Sequence, residues 1–162
     1  MISKKQYNIA VEQYSANLFR FLTKQLRDKQ TAEDIIQDCF LKLWQHKDNV
    51  DHTKVKSWLF TTAYHFMLNG IRRSNRNGTM PENAESLLYT GPQTQELKEI
   101  IDKTLDLLPE IQKSIVLLRD LEGYEYKEIG EMLSLTESQV KVYLFRARQK
   151  IKETIKELHL VL

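Results

Sequence analysis

The sequence is poor in the residues that cross-link or bend a chain. It has one cysteine, three prolines and five glycines among 162 residues. A single cysteine excludes an internal disulfide framework and a multi-cysteine zinc site, and the apolar neighbours of Cys39 predict a small buried side chain in a reducing compartment. Few glycines and prolines leave little turn chemistry for a β-sheet, whereas abundant Leu, Ile, Lys, Glu and Gln favour helices. The composition therefore predicts an all-α protein.

Long apolar runs and recognisable catalytic motifs are also missing. No segment approaches the ~20 apolar residues of a membrane span, and the first residues lead into an amphipathic segment rather than a signal peptide. The sequence contains no glycine-rich phosphate loop. Its four histidines are too scattered to predict a metal site. We therefore expect a cytoplasmic protein that is not an enzyme, with no catalytic residue, metal, cofactor, small-molecule substrate or direct membrane insertion.

The net charge of +2 conceals an uneven distribution. Residues 1–77 hold 13 Lys and Arg against 7 Asp and Glu, residues 96–137 hold 5 against 11, and residues 138–162 hold 6 against 2. A basic final segment that follows an acidic one is expected when the basic segment contacts phosphates and the acidic segment does not. A solvated charged helix would give the same counts, so charge alone leaves both interpretations open.

The weakest helical signal lies between residues 78 and 95. Small polar residues are interrupted there by Gly78, Pro81, Gly91 and Pro92, a composition typical of a linker. We therefore expect two small helical domains, at 1–77 and 96–162, joined by a flexible linker at 78–95. Each domain is long enough for three or four helices.

Apolar residues at helical spacing predict three helices in the first domain. The first runs from Tyr7 to Arg27, and the third from about Val55 to Arg73. The second begins at Thr31, where the sequence TAED resembles a capping box. Its outer face is acidic and amide-rich, and three of its side chains lie within about one turn of each other, a spacing that presents them together to a partner. These side chains are Asp34, Gln37 and Asp38.

The third predicted helix combines aromatic, amide and basic residues. Aromatic faces can stack unpaired bases, an amide can read a base edge, and arginines can neutralise a strand. This pattern predicts a reader of single-stranded nucleic acid. Aromatic residues at helical spacing are more often core, so that interpretation stays open, above all for Trp58. The residues concerned are Trp58, Phe60, Tyr64, Asn69, Arg72, Arg73 and Arg76.

The second domain has the spacing of a helix-turn-helix. Pro109 suits the first turn of a helix and Gly123 suits its C-terminal cap. The apolar stripe between them is Ile111, Ile115, Leu118 and Leu121. A short helix over about Glu125 to Leu133 follows, and Thr136 with Gln139 forms a capping box for the last helix.

The last helix has an outer face suited to DNA. Its inner stripe is Val140, Leu144, Ala147 and Ile151, which turns polar, basic and apolar side chains outward near its N-terminal end. Such a face can enter a major groove while the preceding helix braces the backbone. A helical hairpin with a basic last helix is the alternative. The candidate DNA-binding residues are Thr136, Ser138, Gln139, Lys141, Val142, Phe145, Arg146 and Arg148.

Together these segments resemble the extracytoplasmic-function (ECF) sigma factors, which are two-domain specificity subunits of bacterial RNA polymerase. AEDIIQDCFLKLWQ followed by WLFTTAYHFMLNGIRR resembles region two of that family. LPEIQKSIVLLRDLEGYEYKEIGEMLSLTESQVKVYLFRARQKI resembles region four. The resemblance covers nearly the whole chain. It implies an alternative-type sigma factor that binds core RNA polymerase, directs it to promoters and helps open the minus-ten DNA for transcription initiation.

The resemblance also implies roles for particular residues. Asp34, Gln37 and Asp38 would dock on the clamp helices of the polymerase β′ subunit, and the second domain would meet the β flap. The helix from Thr136 would read the duplex minus-thirty-five element, and an anti-sigma factor would hold the protein inactive. Residues implied to engage the melted minus-ten strand are Tyr64, His65, Asn69, Arg72, Arg73 and Arg76.

The chain departs from the family pattern at several positions. Ser138-Gln139 stands where Gly-Thr is common, and Val142-Tyr143 where Ser-Arg is common, which removes one expected DNA contact. Ser134 replaces a common turn glycine, which predicts a strained or a looser turn, and Glu125 replaces a common capping serine.

Two other functions fit parts of the same sequence. A homodimeric repressor would need a self-complementary apolar surface and a palindromic site. A module that holds polymerase without choosing promoters would keep its activity when Lys141 and Arg146 are replaced.

Overall fold

The computed structural model describes residues 1–77 and 92–161, with the side chains of 1–73 and 96–157. Within these ranges the regular elements are all helical, which confirms the all-α prediction. Contacts divide the chain into two compact units, one containing the described residues 1–77 and the other most of the described residues from 92 onward. A helix begins at Pro92, inside the range predicted as linker. Residues 78–91 of that range lie outside the described residues.

The first unit is built from three long helices. They are α1 (Lys4–Leu26), α2 (Lys29–Gln45) and α3 (Val55–Asn77), with a 3-10 turn at His52–Lys54 before α3. Each helix packs against the other two. Burying one large apolar side chain is worth about 1.5–3 kcal/mol, so the shared core stabilises all three. Core residues include Leu18, Phe21, Leu22, Cys39, Leu43, Leu59, Ala63 and Met67.

The first two helices begin earlier than their apolar pattern predicts. The Ser3 hydroxyl accepts a hydrogen bond from the backbone N–H of Gln6, whose side chain accepts one from the Ser3 N–H, so α1 begins at Lys4. The capping box predicted at Thr31 is wrong. The Asp28 carboxylate caps α2 instead, accepting from the backbone N–H of Gln30 and Thr31. Aspartate is as good a cap as threonine, and here it comes first in the chain.

The described residues from 92 onward form α4 (Pro92–Asp106), α5 (Glu110–Val116), α6 (Tyr126–Leu133) and α7 (Glu137–Val161). The end of α5 continues as a π-helical turn over Leu117–Leu121. Pro109 immediately precedes α5 rather than lying in its first turn. Gly123 has a φ of 76°, as expected of a C-terminal cap. Core residues include Leu105, Leu108, Ile115, Leu118, Ile129, Val140, Leu144 and Ala147.

The π-helical turn ends the predicted stripe of α5 early. Ile115 and Leu118 are buried as expected, but Leu121 is 50% exposed. A π turn takes more residues than an α turn, so a side chain three positions later no longer returns to the same face. The stripe of α7 also ends early, because Ile151 is only half-buried.

The turn between α6 and α7 is narrow. A Cβ on Gly130 would lie 2.6 Å from the carbonyl oxygen of Leu135. Ser134 has a φ of 59°, a left-handed conformation that is strained for a residue with a side chain. The predicted capping box is confirmed, since the Gln139 N–H lies 3.1 Å from the Thr136 hydroxyl and the Thr136 N–H lies 2.9 Å from the Gln139 side-chain oxygen. These contacts fix where α7 begins.

Candidate functional site

The outer face of α2 brings together the three residues predicted there. Asp34, Gln37 and Asp38 are exposed, while Ile35 and Cys39 on the same helix are buried. The Gln30 side-chain amide donates to the Asp34 carboxylate at 3.1 Å. We call Asp34, Gln37 and Asp38 the α2 surface. Two carboxylates and an amide within one turn suit a basic partner.

Two apolar residues extend the α2 surface and were missed by the sequence reasoning. Leu41 is 55% exposed and Trp44 is 37% exposed. They follow Asp34 and Gln37 by seven residues each, which places them on the same helix face two turns later. This seven-residue spacing is the feature of the sequence that indicates their place on the same face.

The indole of Trp44 is held in place by two neighbours. Its ring lies 5.0 Å from that of Tyr7, edge to face, and the Lys47 ammonium lies 3.7 Å from the indole centroid. The Tyr7 hydroxyl donates to the Phe40 carbonyl at 3.0 Å, and burial raises the pKa of Tyr7. These contacts join α1 to the end of α2 and restrain the Trp44 ring.

Cys39 lies behind the α2 surface, within the core. Burial, with a smaller contribution from the charge of Asp38, raises the pKa of the thiol to about 12. The thiolate is the form that attacks electrophiles and binds metals. At neutral pH Cys39 is therefore an apolar packing residue, as its sequence context predicts.

On α3, most of the candidate residues share one exposed face. His65, Asn69, Arg72 and Arg73 are exposed, and their spacing of four, three and one places them along one side of the helix. The side chain of Arg76 lies outside the described residues. We call His65, Asn69, Arg72 and Arg73 the α3 face.

Two of the three candidate aromatic residues of α3 are buried. Phe60 is 1% exposed and packs with its ring centroid 5.8 Å from that of Phe21. Tyr64, predicted to assist DNA binding, is only 8% exposed, so its ring offers no open face to a base. Trp58 is half-buried. The core interpretation, which the sequence left open, therefore applies to Phe60.

The predicted DNA-binding residues of α7 are all exposed, while Val140, Leu144 and Ala147 are buried beneath them. Val142 and Phe145 are 48% and 62% exposed, which is unusual for apolar side chains. The Lys141 ammonium lies 3.9 Å from the carboxylate of Glu137, which precedes Lys141 by one turn. We call the following residues the recognition face: Ser138, Gln139, Lys141, Val142, Phe145 and Arg146.

Arg148 differs from the recognition face because another helix engages it. Its guanidinium pairs with the Asp120 carboxylate, with Nη2 to Oδ1 at 2.5 Å and Nε to Oδ2 at 3.3 Å. Sequence reasoning grouped Arg148 with residues facing DNA and did not identify this partner, which lies 28 positions earlier.

Two further features of the described residues bear on function. In the part of the chain whose side chains are described, no group of three or more His, Cys, Asp and Glu could hold a metal ion. No helix within the described ranges is both long enough and apolar enough to cross a membrane.

Two family models match the chain. Residues 10–77 match Sigma-70 region 2, and residues 98–151 match Sigma-70, region 4. The first match spans α1 to α3 and so includes the α2 surface and the α3 face. The second begins within α4 and ends within α7, and so includes the recognition face.

Proteins similar to this chain over most of its length include sigma factors. The chain is 31% identical to the ECF RNA polymerase sigma factor SigM of Bacillus subtilis strain 168, over 87% of this chain and 90% of that protein. It is 25% identical to the ECF RNA polymerase sigma-E factor of Escherichia coli strain K12, over 96% of this chain and 89% of that protein.

Two solved structures share the fold. One is the sigma factor RpoE in complex with the anti-sigma factor NepR from Bartonella quintana, with a TM-score of 0.77, 22% identity, and 94% of this chain and 98% of that chain covered. The other is CnrH in complex with the cytosolic domain of CnrY, with a TM-score of 0.72 and 20% identity. The match covers 96% of this chain and 90% of that chain.

Proposed function

Because this chain belongs to the ECF sigma factors of RNA polymerase, we propose that its α2 surface binds core polymerase while its α3 face and recognition face bind the promoter. As a family member it is a transcription initiation factor with sigma regions 2 and 4. The observation that carries the residue-level proposal is that both matched regions are present in one chain, and each exposes its own polar surface. We place the two functional domains at 1–77 and 96–162.

The chemistry of the α2 surface suits the basic clamp helices of the β′ subunit. The carboxylates of Asp34 and Asp38 would meet cations there, and the Gln37 amide would add a directional hydrogen bond. Leu41 and Trp44 would form the apolar centre of the contact. A rigid aromatic beside polar groups is the kind of residue that carries most of the binding energy in protein interfaces.

The α3 face suits the melted minus-ten strand. An exposed amide at Asn69 can read a base edge, and Arg72 and Arg73 can neutralise the strand. We also assign Arg76 to this strand from the sequence pattern. Tyr64 has no stacking role in this proposal, because its ring is buried.

The recognition face suits the major groove of the minus-thirty-five element. Ser138, Gln139 and Lys141 lie near the N-terminal end of α7, where a recognition helix meets base edges. Exposed Val142 and Phe145 can contact thymine methyl groups. Arg146 can reach a phosphate.

Run-off transcription tests these assignments. Purified core polymerase and the chain are incubated with a fragment library from the host genome, and transcripts are compared between wild type and two double variants. Asp34→Ala/Gln37→Ala is expected to abolish transcripts because it no longer binds core. Lys141→Ala/Arg146→Ala is expected to bind core normally and to lose the transcripts. Core binding is measured separately by co-sedimentation.

Control variants remove charges of the same sign elsewhere. Glu12→Ala on α1 and Lys103→Ala on α4 replace exposed charged residues on helices that carry none of the three surfaces, and both are expected to give the wild-type transcripts. If the wild type yields no transcript but binds a palindromic duplex tightly by itself, the repressor function is correct instead. If the wild type and Lys141→Ala/Arg146→Ala bind core equally and neither gives discrete transcripts, the chain holds polymerase without selecting promoters.

We also propose an anti-sigma factor as a regulatory partner, contact with the β flap, and action in the cytoplasm. Two proteins of the same fold were solved in complexes that support a regulatory partner: RpoE with an anti-sigma factor and CnrH with a cytosolic domain of CnrY. We assign no catalytic step to the chain, since its contribution to promoter opening comes from binding energy.

A host protein that acts as the anti-sigma factor is expected to abolish both core binding and the run-off transcripts when added in stoichiometric amount. Inhibition that leaves core binding intact would contradict this regulatory mechanism.

A further inference from the structure

The end of α5 touches both helices of the helix-turn-helix. Its last turn, Leu117–Leu121, is π-helical, and the Glu122 N–H donates to the Leu117 carbonyl at 3.0 Å across five residues. A π turn rotates the side chains that follow it relative to an α-helix. Leu117 and Leu118 remain in the core, while Arg119 is half-buried and Asp120 is exposed. Two oppositely charged side chains thus stand side by side at this end.

Arg119 connects the π-helical turn to the start of α6. Its guanidinium donates to the Tyr124 carbonyl at 3.0 Å and lies 4.4 Å from the centroid of the Tyr126 ring. A hydrogen bond and a cation–π contact from one planar group restrain both the backbone before α6 and the first side chain of the helix.

Asp120 connects the same turn to α7. Both of its carboxylate oxygens meet Arg148, at 2.5 Å and 3.3 Å. The hydrogen bond with Asp120, followed by smaller electrostatic contributions from Asp120 and Tyr126, raises the pKa of Arg148. The two side chains are 50% and 40% exposed, so the pair adds little to global stability. Two parallel contacts between the carboxylate and the guanidinium, however, constrain the direction in which Arg148 points.

The constrained edge of α7 borders the recognition face. Arg148 follows Lys141 by seven residues, which places the two on the same edge, two turns apart. The Lys141 ammonium lies 5.6 Å from the Tyr126 centroid, so this edge runs beside the start of α6. A rotation of α7 about its axis would break the Asp120–Arg148 contact and would turn the recognition face away from its present direction.

We propose that Asp120 is a positioning residue for promoter recognition, which acts through Arg148 to hold α7 in the orientation that presents the recognition face. Arg148 contributes to DNA binding by this internal contact and not by neutralising a phosphate. The inference rests on the proposed function of the recognition face. It assigns to Arg148 a role different from that of Arg146, although both are exposed arginines two residues apart on one helix.

Salt dependence separates the two roles. The holoenzyme is bound to a promoter duplex recovered from the run-off library, between 50 and 200 mM salt, and log K is plotted against log salt. A phosphate contact contributes about 0.9 to the slope. Arg146→Gln is expected to reduce the slope by about that amount. Asp120→Asn and Arg148→Gln are each expected to weaken binding by about three- to tenfold without changing the slope, an effect at the lower end of the couplings found between residues that share a salt bridge.

Two further variants complete the test. The double variant Asp120→Asn/Arg148→Gln is expected to bind no more weakly than either single variant, because both remove the same contact. Arg148→Lys keeps the charge but loses the two-point geometry, so it is expected to behave like Arg148→Gln. The proposal is overturned if Arg148→Lys binds like wild type, if Arg148→Gln lowers the slope as Arg146→Gln does, or if the single effects add.

A measurement without DNA keeps this inference separate from the proposed function. In the free chain, amide hydrogen exchange in the first turns of α7 is expected to be faster in Asp120→Asn and Arg148→Lys than in wild type, and unchanged in Arg146→Gln. If no transcript is obtained from the wild type, the proposed function fails, and exchange still decides whether Asp120 positions α7. Equal exchange in all variants would refute the positioning role.

Discussion

The α2 surface and the recognition face lie on similar amphipathic helices, but they are held in different ways. Asp34 of the α2 surface is hydrogen-bonded within its own helix, to Gln30. The recognition face is oriented by other elements, through Asp120 and the narrow turn at Gly130. A surface recognised by complementary charge requires exposure and the correct sign, whereas a helix that enters a groove also requires a fixed direction. Changes outside the binding residues are therefore expected to impair promoter binding more than core binding.

The largest expected effect comes from Gly130→Ala. Its added methyl group would meet the Leu135 carbonyl oxygen, which is backbone and cannot move aside without shifting the start of α7. Such overpacking typically costs about 1–3 kcal/mol. We expect a lower denaturation midpoint and loss of promoter binding, with core binding by the α2 surface retained. Chemical denaturation and co-sedimentation measure these outcomes.

Gly70→Ala is the matched control for Gly130→Ala. A Cβ on Gly70 meets nothing within 4 Å, and the residue lies in the middle of α3. Alanine is more favourable than glycine inside a helix by about 1 kcal/mol, so this variant is expected to raise the denaturation midpoint. If both variants have the wild-type midpoint, the turn before α7 is looser than its geometry indicates, and the comparison between the two surfaces fails.

The next largest effect is expected from Leu41→Ala, two turns after Asp34 on the face of α2 that carries the α2 surface. Because Leu41 is 55% exposed, truncating it removes little core packing. Truncating an interface anchor costs at least about 1 kcal/mol, and 1.4 kcal/mol corresponds to tenfold in affinity. We expect core polymerase to bind about tenfold more weakly, with unchanged stability. Ile9→Ala, at a 47% exposed position on α1, is the control and is expected to bind core normally. Equal affinities in both variants would exclude Leu41 from the interface.

Much of this architecture follows from local patterns in the sequence. The helices of both units follow apolar periodicity, and the capping box of Thr136 and Gln139 forms as its spacing predicts. Asp34, Gln37 and Asp38 are exposed because their neighbours Ile35 and Cys39 occupy the core positions of α2. Within a helix the angular positions of side chains are fixed by geometry, so the sequence alone determines which residues share a face.

What the sequence could not predict depends on irregular backbone and distant contacts. The apolar stripe of α5 was extended to Leu121 by assuming 3.6 residues per turn, and the π-helical turn breaks that period. The same turn places Asp120 against Arg148, a pair that no local pattern indicates. The predicted start of α2 at Thr31 is wrong because Asp28, a residue type that caps helices at least as well as threonine, lies three positions earlier and caps the helix.

A smaller effect is expected from relieving strain at Ser134. Its φ of 59° is costly for a residue with a Cβ, by roughly 1 kcal/mol, and glycine adopts it freely. Ser134→Gly is expected to raise the denaturation midpoint slightly and to leave both core and promoter binding intact. Gly123→Ser, at a φ of 76°, introduces the same strain and is expected to lower the midpoint. If Ser134→Gly lowers the midpoint, the serine side chain stabilises the turn, and the strain argument is wrong.

The smallest expected effects are opposite pH dependences in the two units. Hydrogen bonds from Thr53 lower the pKa of Asp51 before α3, whereas burial raises the pKa of Glu110 at the start of α5. Asp51 therefore stabilises the folded state above its unfolded pKa, and this contribution disappears as pH falls through its lower folded pKa. Glu110 does the reverse, since stability is lost as pH rises from its unfolded pKa through its higher folded pKa. Relative to wild type, we expect Asp51→Asn to be less stable at neutral pH and Glu110→Gln more stable, with both differences vanishing in acid. Denaturation midpoints between pH 3 and 7 measure this, and parallel curves for all three proteins would contradict both assignments.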